Sequence, residues 1–216
     1  MTTTVPRILI VGGGYAGFYT AWKLEKLLGR GEAEVTLVDP LPYMTYQPFL
    51  PEVAAGEIEP RHVVVGLRRH LKRTTVIAGK VTGISHATKT ATITPIAGDE
   101  SYEQSYDQIV VTAGAVSRTF PIPGIADNAI GLKTIEEAVA IRDRLTSNFD
   151  KASVLPAGPE RDRLLTVVVV GGGFAGIEVF AELRAYASSL LKQYPTLTFD
   201  DTHFHLIEAM GRIMPE

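Results

Sequence analysis

The chain has 216 residues, of which 45% are hydrophobic and 21% are charged, and its formal net charge is -3. A chain of this size forms one large domain or two small ones, and the composition is typical of a soluble globular protein. The small negative charge, with no basic run longer than Arg68-Arg69, argues against nucleic acid as a partner. Because the chain has no cysteine, disulfide frameworks, thiolate metal sites and thiol-based redox chemistry are excluded. Any redox reaction therefore needs an organic cofactor.

The N-terminus carries no targeting signal that we recognise. Residues 1–7 lack the basic start and long apolar core of a signal peptide. No apolar stretch approaches the ~20 residues that span a bilayer. We therefore expect these 216 residues to be soluble and cytoplasmic.

An apolar run followed by a glycine-rich loop occurs twice in the chain. Residues 8–17, ILIVGGGYAG, reappear as residues 167–176, VVVVGGGFAG. Consecutive aliphatic residues predict a parallel strand that is buried on both faces, and the helical spacing of apolar residues after each loop predicts a helix. Each copy continues into a second strand that ends in an acid, Asp39 or Glu208. The sequence therefore predicts an α/β protein with two Rossmann-like βαβ units.

The segment between the two units has a different pattern. Residues 75–83, 88–95 and 106–112 are rich in Val, Ile and Thr, which predicts a small antiparallel β insertion that returns to the first sheet. Residues 134–137, TIEE, form a capping box that opens a helix. Residues 153–159 are interpreted as a linker.

Each loop has the G-x-G-x-x-G spacing of a dinucleotide-binding turn. The first glycine permits the tight turn, the second lets the backbone approach a pyrophosphate, and the third lets the helix pack closely on the strand. The start of the helix then offers unpaired N–H groups to the diphosphate, and the acid at the end of the second strand can accept hydrogen bonds from a ribose. The candidate cofactor-binding residues are Gly12, Gly14, Tyr15, Ala16, Gly17 and Asp39 in the first copy, and Gly171, Gly173, Phe174, Ala175, Gly176 and Glu208 in the second.

Two dinucleotide sites in one chain indicate hydride transfer from a nicotinamide to a flavin. The cofactors carry out this chemistry, and the protein orients them. A carboxylate at Glu208 would repel the 2′-phosphate of NADPH and so favours NADH, although Arg212 lies close enough in sequence to weaken that preference. Glu178, in the opening turns of the second helix, has two interpretations. It is either a carboxylate stabilised by the helix N-terminus or a group facing the junction of nicotinamide and flavin.

Other residues give weaker indications. His203 and His205 share one face of a strand but lack further ligands, so we predict no metal site. Trp22, Tyr43 and Tyr46 could stack on a flavin, but aromatic residues more often fill cores, and for Trp22 we favour the core.

Several segments resemble the type II NADH dehydrogenases, the single-subunit NADH:quinone oxidoreductases of the two-dinucleotide-binding flavoprotein group. The most telling is residues 46–56, YQPFLPEVAAG, which is similar to the family's stretch after the first acid. The resemblance extends over nearly all 216 residues. It also rests on residues 106–107, 113–114, 123–124, 131–133, 176–178 and 182–183.

The resemblance implies FAD on the first loop and NADH on the second. It implies that Gln47 lies near the isoalloxazine end of FAD, and that Val81 and Gly114, with Ala113 beside it, line the cofactor. For Glu178 it favours a catalytic place where nicotinamide, flavin and quinone meet. The implied domains are an FAD-binding part at 1–120, a crossover helix and linker at 121–160, and an incomplete NADH-binding part at 161–216.

The chain departs from the family in two ways. Thr112-Ala113-Gly114 stands where the family usually has Ala-Thr-Gly, so no role can be carried over to Thr112. The sequence also ends at Glu216, before the family's remaining NADH domain, quinone pocket and membrane-binding C-terminal helices. We therefore expect a truncated second domain with uncovered apolar surface. The resemblance further implies a full-length protein that is peripheral on the inner face of the cell membrane, with a homodimer as one candidate assembly.

Two alternatives remain open from the sequence. The first is a soluble NAD(P)H-dependent flavoprotein that reduces a ferredoxin or rubredoxin partner. The second is a dinucleotide-binding module without turnover. The C-terminal helices would separate the first alternative from a quinone reductase, and reduction of a bound flavin by NADH would exclude the second.

Overall fold

The computed structural model describes residues 5–98, 100–117 and 121–214. Its strands are β1 (Arg7–Val11), β2 (Glu34–Asp39), β3 (Tyr43–Thr45), β4 (Val64–Gly66), β5 (Thr75–Ser85), β6 (Thr90–Pro95), β7 (Tyr102–Ser105), β8 (Gln108–Val111), β9 (Thr166–Val170) and β10 (His203–Ile207). Its α-helices are α1 (Tyr15–Leu27), α2 (Leu50–Ala54), α3 (Leu67–His70), α4 (Ile125–Asn128), α5 (Ile135–Ser153), α6 (Pro159–Leu164) and α7 (Phe174–Leu190). Single turns of 3₁₀ helix lie at Gln47–Phe49, Pro60–His62, Leu191–Gln193 and Phe199–Asp201.

The chain divides into two compact units. The first comprises Met1–Tyr46 with Val64–Val116, and the second comprises Gln47–Val63 with Ser117–Glu216. The segment 47–63, which lies inside the range expected for the FAD-binding part, thus clusters with the second unit. Each unit contains one of the two glycine-rich loops.

The first unit is built on a sheet in which the described strands follow the order β7-β6-β5-β2-β1-β8. Strand β1 pairs in parallel with β2 on one side and with β8 on the other. Leu9 and Ile10 in β1 are 1% and 0% exposed, as expected for a strand covered on both faces. The predicted βαβ unit is confirmed, and its loop lies at the carboxyl end of β1.

Strand β5 joins the parallel part of this sheet to the predicted antiparallel insertion. Its first residues run parallel to β2, and its later residues pair antiparallel with β6. The register shifts between Val81 and Gly83, which leaves Thr82 as the extra residue of a β-bulge. The insertion is confirmed, but β7 was not predicted as a strand of its own because its sequence, YEQS, has no aliphatic residue.

Helix α1 ends on a network that joins it to the residues before β5. The Arg73 guanidinium donates hydrogen bonds to the carbonyl oxygens of Glu25, Leu28 and Gly29. In return, the Glu25 carboxylate accepts N–H bonds from Arg73 and Thr74, both at 2.7 Å. These bonds satisfy carbonyl groups that a helix C-terminus otherwise leaves without partners.

The second unit packs α2, α5 and α7 around a core that also takes one face of the parallel pair β9 and β10. The predicted capping box is confirmed at the start of α5. Glu137 N–H donates to Thr134 Oγ1 at 3.2 Å, and Thr134 N–H donates to Glu137 Oε2 at 3.0 Å. On the other face of the strand pair, Val168, Val170 and Ile207 are 50%, 48% and 54% exposed.

Within the described residues, none of the helices combines the length and the apolar character that crossing a membrane requires.

Candidate functional site: two glycine-rich loops

The first loop makes a tight turn between β1 and α1. Gly12 has φ +97°, a conformation that side chains rarely adopt, and its N–H donates to the Val38 carbonyl at 2.9 Å. The corresponding Gly171 has φ +111°, and its N–H donates to the Ile207 carbonyl at 2.8 Å. In both units the first glycine therefore turns the chain while its N–H still bonds to the neighbouring strand.

The third glycine of each loop lies against the carbonyl of the first. A Cβ added to Gly17 would overlap the carbonyl oxygen of Gly12, and a Cβ added to Gly176 would overlap that of Gly171. Any side chain at these positions would push the helix away from the turn. The close helix packing that the motif predicts is present twice.

The second glycine of each loop faces open space. Apart from the adjacent residues in the chain, no atom of the described residues lies within 4 Å of a Cβ built on Gly14 or on Gly173. Their φ angles of -66° and -74° are ones that alanine adopts readily. Nothing in the protein fold therefore requires glycine here, whereas a phosphate approaching the backbone does require it.

Each helix begins with N–H groups that have no partner inside the helix. The first bond of α1 runs from Phe18 N–H to the Gly14 carbonyl at 2.8 Å, which leaves the N–H groups of Tyr15, Ala16 and Gly17 outside the helical pattern. In the second copy the first bond of α7 runs from Ile177 to Gly173 at 3.0 Å. Such N–H groups, with the positive end of the helix dipole, form an anion-binding site.

The predicted loop residues at both helix starts face solvent. Tyr15 and Phe174, each the first helical residue, are 56% and 68% exposed. Ala16 and Ala175, which follow them, are also exposed. All four residues are therefore accessible to a ligand bound at the helix N-terminus.

The two predicted acids are held by the loops themselves. Asp39 Oδ2 accepts the Gly13 N–H at 2.5 Å, and its Oδ1 accepts the Leu41 N–H at 2.7 Å. Glu208 repeats the arrangement, because its Oε1 accepts the Met210 N–H at 2.8 Å and its Oε2 accepts the Gly172 N–H at 2.6 Å.

These bonds fix the orientation of each carboxylate. The N–H groups of Met210 and then Gly172 also lower the pKa of Glu208, because they stabilise its charged form. A carboxylate oxygen has more than one lone pair, so each can still accept a bond from a ribose hydroxyl. The motif predicted the ribose contact. It did not predict the bond that anchors each carboxylate to the glycine between the first and second motif glycines, which is Gly13 in the first loop and Gly172 in the second.

The remaining residues expected near FAD are divided between the two units. Val81 is half-buried in β5, and Ala113 and Gly114 are exposed just after β8, so these three share the first unit with the first loop. Gln47 belongs to the second unit, where its Nε2 donates to the Lys133 carbonyl at 3.2 Å.

Glu178 is exposed in the second turn of α7, in the unit that contains the second loop. One turn further along α7, Glu182 was noted in the family resemblance at 182–183 but was not predicted as a site residue. Its burial, together with the carboxylates of Glu52 and Glu57, raises its pKa. Glu52 Oε2 is buried and has no hydrogen-bond partner within the described residues.

One aromatic interpretation is wrong. Trp22, for which we favoured the core, is 37% exposed, and the Lys26 ammonium lies 3.2 Å from the centre of its ring. Phe18 and Ala21 supply the buried face of α1 instead. The ammonium over the ring face gives the exposed indole a cation-π partner.

Comparison with known proteins agrees with this geometry. The family model for pyridine nucleotide-disulphide oxidoreductases matches residues 6–216. The chain is 35% identical over 215 residues to an external NADH-ubiquinone oxidoreductase of Saccharomyces cerevisiae mitochondria, covering 96% of this chain and 39% of that protein. It is 32% identical over 213 residues to a type II NADH:quinone oxidoreductase of Mycobacterium tuberculosis, covering 97% of this chain and 44% of that protein.

The structure is similar to that of NDH2 from Plasmodium falciparum in complex with NADH. The TM-score is 0.87 at 26% sequence identity, and the match covers 98% of this chain and 43% of that one. The chain thus spans less than half the length of these relatives, and its resemblance to type II NADH dehydrogenases is confirmed. Because the family model covers the chain from residue 6 to its last residue, this protein belongs to the pyridine nucleotide-disulphide oxidoreductase family.

Proposed function

We propose that this chain carries the FAD site and part of the NADH site of an FAD-dependent NADH:quinone oxidoreductase. FAD binds at the first loop, with its diphosphate on the start of α1 and its ribose on Asp39. NADH binds at the second loop, with its diphosphate on the start of α7 and its ribose on Glu208. When bound, the two cofactors supply hydride transfer from nicotinamide to flavin.

The observation that carries the proposal is that the same cradle is built twice. In each unit a glycine with positive φ starts the turn, the second glycine faces open space, and a carboxylate bonds to the middle N–H of the loop. A purely structural turn has no need of an open position beside unpaired helix N–H groups. Two such cradles, one per unit, fit two dinucleotides.

The second site favours NADH over NADPH. The N–H groups of Met210 and Gly172 lower the pKa of Glu208 because they stabilise its charged form, and a carboxylate at this position repels a 2′-phosphate. Asp39 takes the corresponding position in the first unit. It meets no such repulsion there, because the ribose of FAD presents only hydroxyl groups.

The electron acceptor is a quinone, and Glu178 is the residue placed near it. The names of the yeast and mycobacterial relatives support a quinone acceptor, and the exposed position of Glu178 near the start of α7 supports its access to bound substrates. We also propose that the full protein acts as a peripheral protein on the inner face of the cell membrane, where a membrane quinone is available.

The test begins with the visible absorption of the purified chain after incubation with FAD. We expect a flavin band that survives gel filtration and that is bleached by NADH, and far less by NADPH, in the absence of oxygen. A water-soluble quinone added to the bleached sample should restore the band. A preparation that takes up no FAD refutes the first site, and a bound flavin that NADH cannot bleach means that the chain is at most a dinucleotide-binding module without turnover.

Matched variants assign the two loops separately. Gly14→Ala places a methyl group in the open part of the first cradle, so we expect a folded chain that does not retain FAD. Gly173→Ala does the same in the second cradle, so we expect flavin to be retained but no longer bleached by NADH. If both variants bind FAD and respond to NADH like the unmodified chain, the assignment of the loops is wrong.

A further inference from the structure

Thr112 makes hydrogen bonds that the family resemblance did not anticipate. It follows the last residue of β8, and its N–H extends the pairing with β1 by donating to the Val11 carbonyl at 2.8 Å. Its hydroxyl Oγ1 lies 2.9 Å from the carbonyl oxygens of both Val11 and Gly12. A single hydroxyl proton is therefore shared between the last strand residue and the first residue of the loop.

The Gly12 carbonyl is the point where three elements meet. It follows β1, its oxygen lies where a Cβ on Gly17 in the first turn of α1 would stand, and it accepts the hydroxyl of Thr112 after β8. The helical hydrogen bonds of α1 begin only at the Gly14 carbonyl, so the helix supplies no donor to Gly12. Thr112 is the side chain that holds this peptide in place.

The order of residues at this point differs from the order that is usual in the family. Thr112-Ala113 stands where the family usually has Ala-Thr. Neighbouring residues of an extended segment point to opposite sides, so the exchange moves the hydroxyl from one side of the backbone to the other. Here that places it against the loop, 2.7 Å from where a Cβ on Gly17 would stand.

The second loop provides an internal comparison. Gly171 makes the same close approach to Gly176, but among the residues that the structure describes no side chain donates to the Gly171 carbonyl. Among the described residues β9 pairs only with β10, so no strand stands where β8 stands beside β1, and the hydroxyl clamp, meaning the two bonds from Thr112 Oγ1, is described for the first loop alone.

We propose that Thr112 is a positioning residue for FAD, which fixes the peptide between Gly12 and Gly13 so that the following N–H groups meet the diphosphate without rearrangement. The inference rests on the proposed FAD site. Preorganisation of this kind strengthens binding because less conformational freedom is lost when the ligand binds. The clamp should not influence NADH, whose loop lies in the other unit.

The test compares Thr112→Val, which removes the hydroxyl at nearly constant volume, with Thr112→Ser, which keeps it. FAD affinity is measured by quenching of flavin fluorescence at a temperature well below the unfolding midpoint of each variant. We expect the Kd for FAD to rise about 3- to 10-fold in T112V, as for the loss of one hydrogen bond, and to stay within about 2-fold in T112S. The Kd for NADH should not change in either variant.

A second measurement needs no cofactor. Amide hydrogen exchange of residues 12–17 should be faster in T112V than in T112S, while exchange of residues 171–176 is the same in both. If T112V lowers the unfolding midpoint but leaves the FAD Kd and the loop exchange unchanged, the hydroxyl is only structural and the inference is refuted. If the unmodified chain itself takes up no FAD, the proposed function fails as well, and that result is distinct from a failure of T112V alone.

Discussion

The third glycine of each loop allows a prediction whose magnitude follows from the geometry. In Gly17→Ala the new Cβ would overlap the Gly12 carbonyl oxygen and stand 2.9 Å from its carbon, where ordinary contacts between carbon atoms are about 3.5 to 4.0 Å. The helix must therefore move by roughly 1 Å or the turn must open. Overpacking of this kind costs about 1 to 3 kcal/mol, a large fraction of the about 5 to 15 kcal/mol that stabilises a typical domain.

The assay is thermal unfolding of the chain without cofactor. About 1 to 3 kcal/mol corresponds to a midpoint about 2 to 12 °C lower for a chain of this size. Gly14→Ala is the matched control, because its Cβ meets no protein atom within 4 Å and its φ of -66° suits alanine. Because Gly14 is the N-cap of α1, where glycine is preferred to alanine, G14A should lower the midpoint by at most about 2 to 4 °C, which corresponds to about 1 kcal/mol, and by less than G17A does, while abolishing FAD retention. Equal stability of G17A and the unmodified chain would refute the reasoning about the loop.

Three further predictions concern stability. Thr134→Ala removes the capping box at the start of α5 and should cost about 1 kcal/mol, seen as a midpoint about 2 to 4 °C lower, whereas Thr134→Ser should not. Arg73→Ala removes the bonds to the carbonyl groups at the end of α1 and should cost about 1 to 3 kcal/mol in urea unfolding, with Arg73→Lys recovering only part because lysine lacks the guanidinium fork. Burial and the neighbouring carboxylates raise the pKa of Glu182 in the folded chain, so the folded state favours the protonated side chain. The stability that this protonated form contributes is complete below the pKa of Glu182 in the unfolded chain, and it is lost as pH rises through the pKa in the folded chain. Glu182→Gln should therefore be more stable than the unmodified chain at neutral pH, and this difference should vanish near pH 4, about the ordinary glutamate pKa; an equal advantage at both pH values would contradict it.

The sequence was most informative where a local rule leaves one solution. The aliphatic run before Gly12 and its repeat before Gly171 predicted parallel strands that are buried on both faces. Both β1 and β9 are parallel strands, and β1 is buried as predicted, but the burial predicted for β9 is wrong because Val168 and Val170 are exposed on one of its faces. The capping box at Thr134 was predicted from four letters because both partners lie within one turn. Such features depend on neighbours in the chain and so can be inferred without the fold.

Features that depend on distant residues were not predicted. The anchoring of Asp39 to Gly13 spans 26 residues, and the contact of Thr112 with Gly12 spans 100. One local feature was also missed, since Trp22 was expected in the core because aromatic rings usually lie there, but Lys26, one turn along α1, provides a partner for an exposed ring. The departure of Thr112-Ala113 from the family order was the one sequence signal that could have indicated the clamp.

The double pairing of β5 constrains how the first unit tolerates change. Its first four paired residues, Thr75 to Ala78, are bound to β2, while the pairing with β6 resumes beyond the bulge from Gly83 to Ser85. Deleting Thr82 would leave Val81 opposite Ile93 and Gly83 opposite Thr92. The pairing of β5 with β6 would then be continuous, and the register on both sides of the bulge would be unchanged. The distal hairpin can therefore be shortened or straightened by protein engineering while the strand beside Asp39 keeps its alignment.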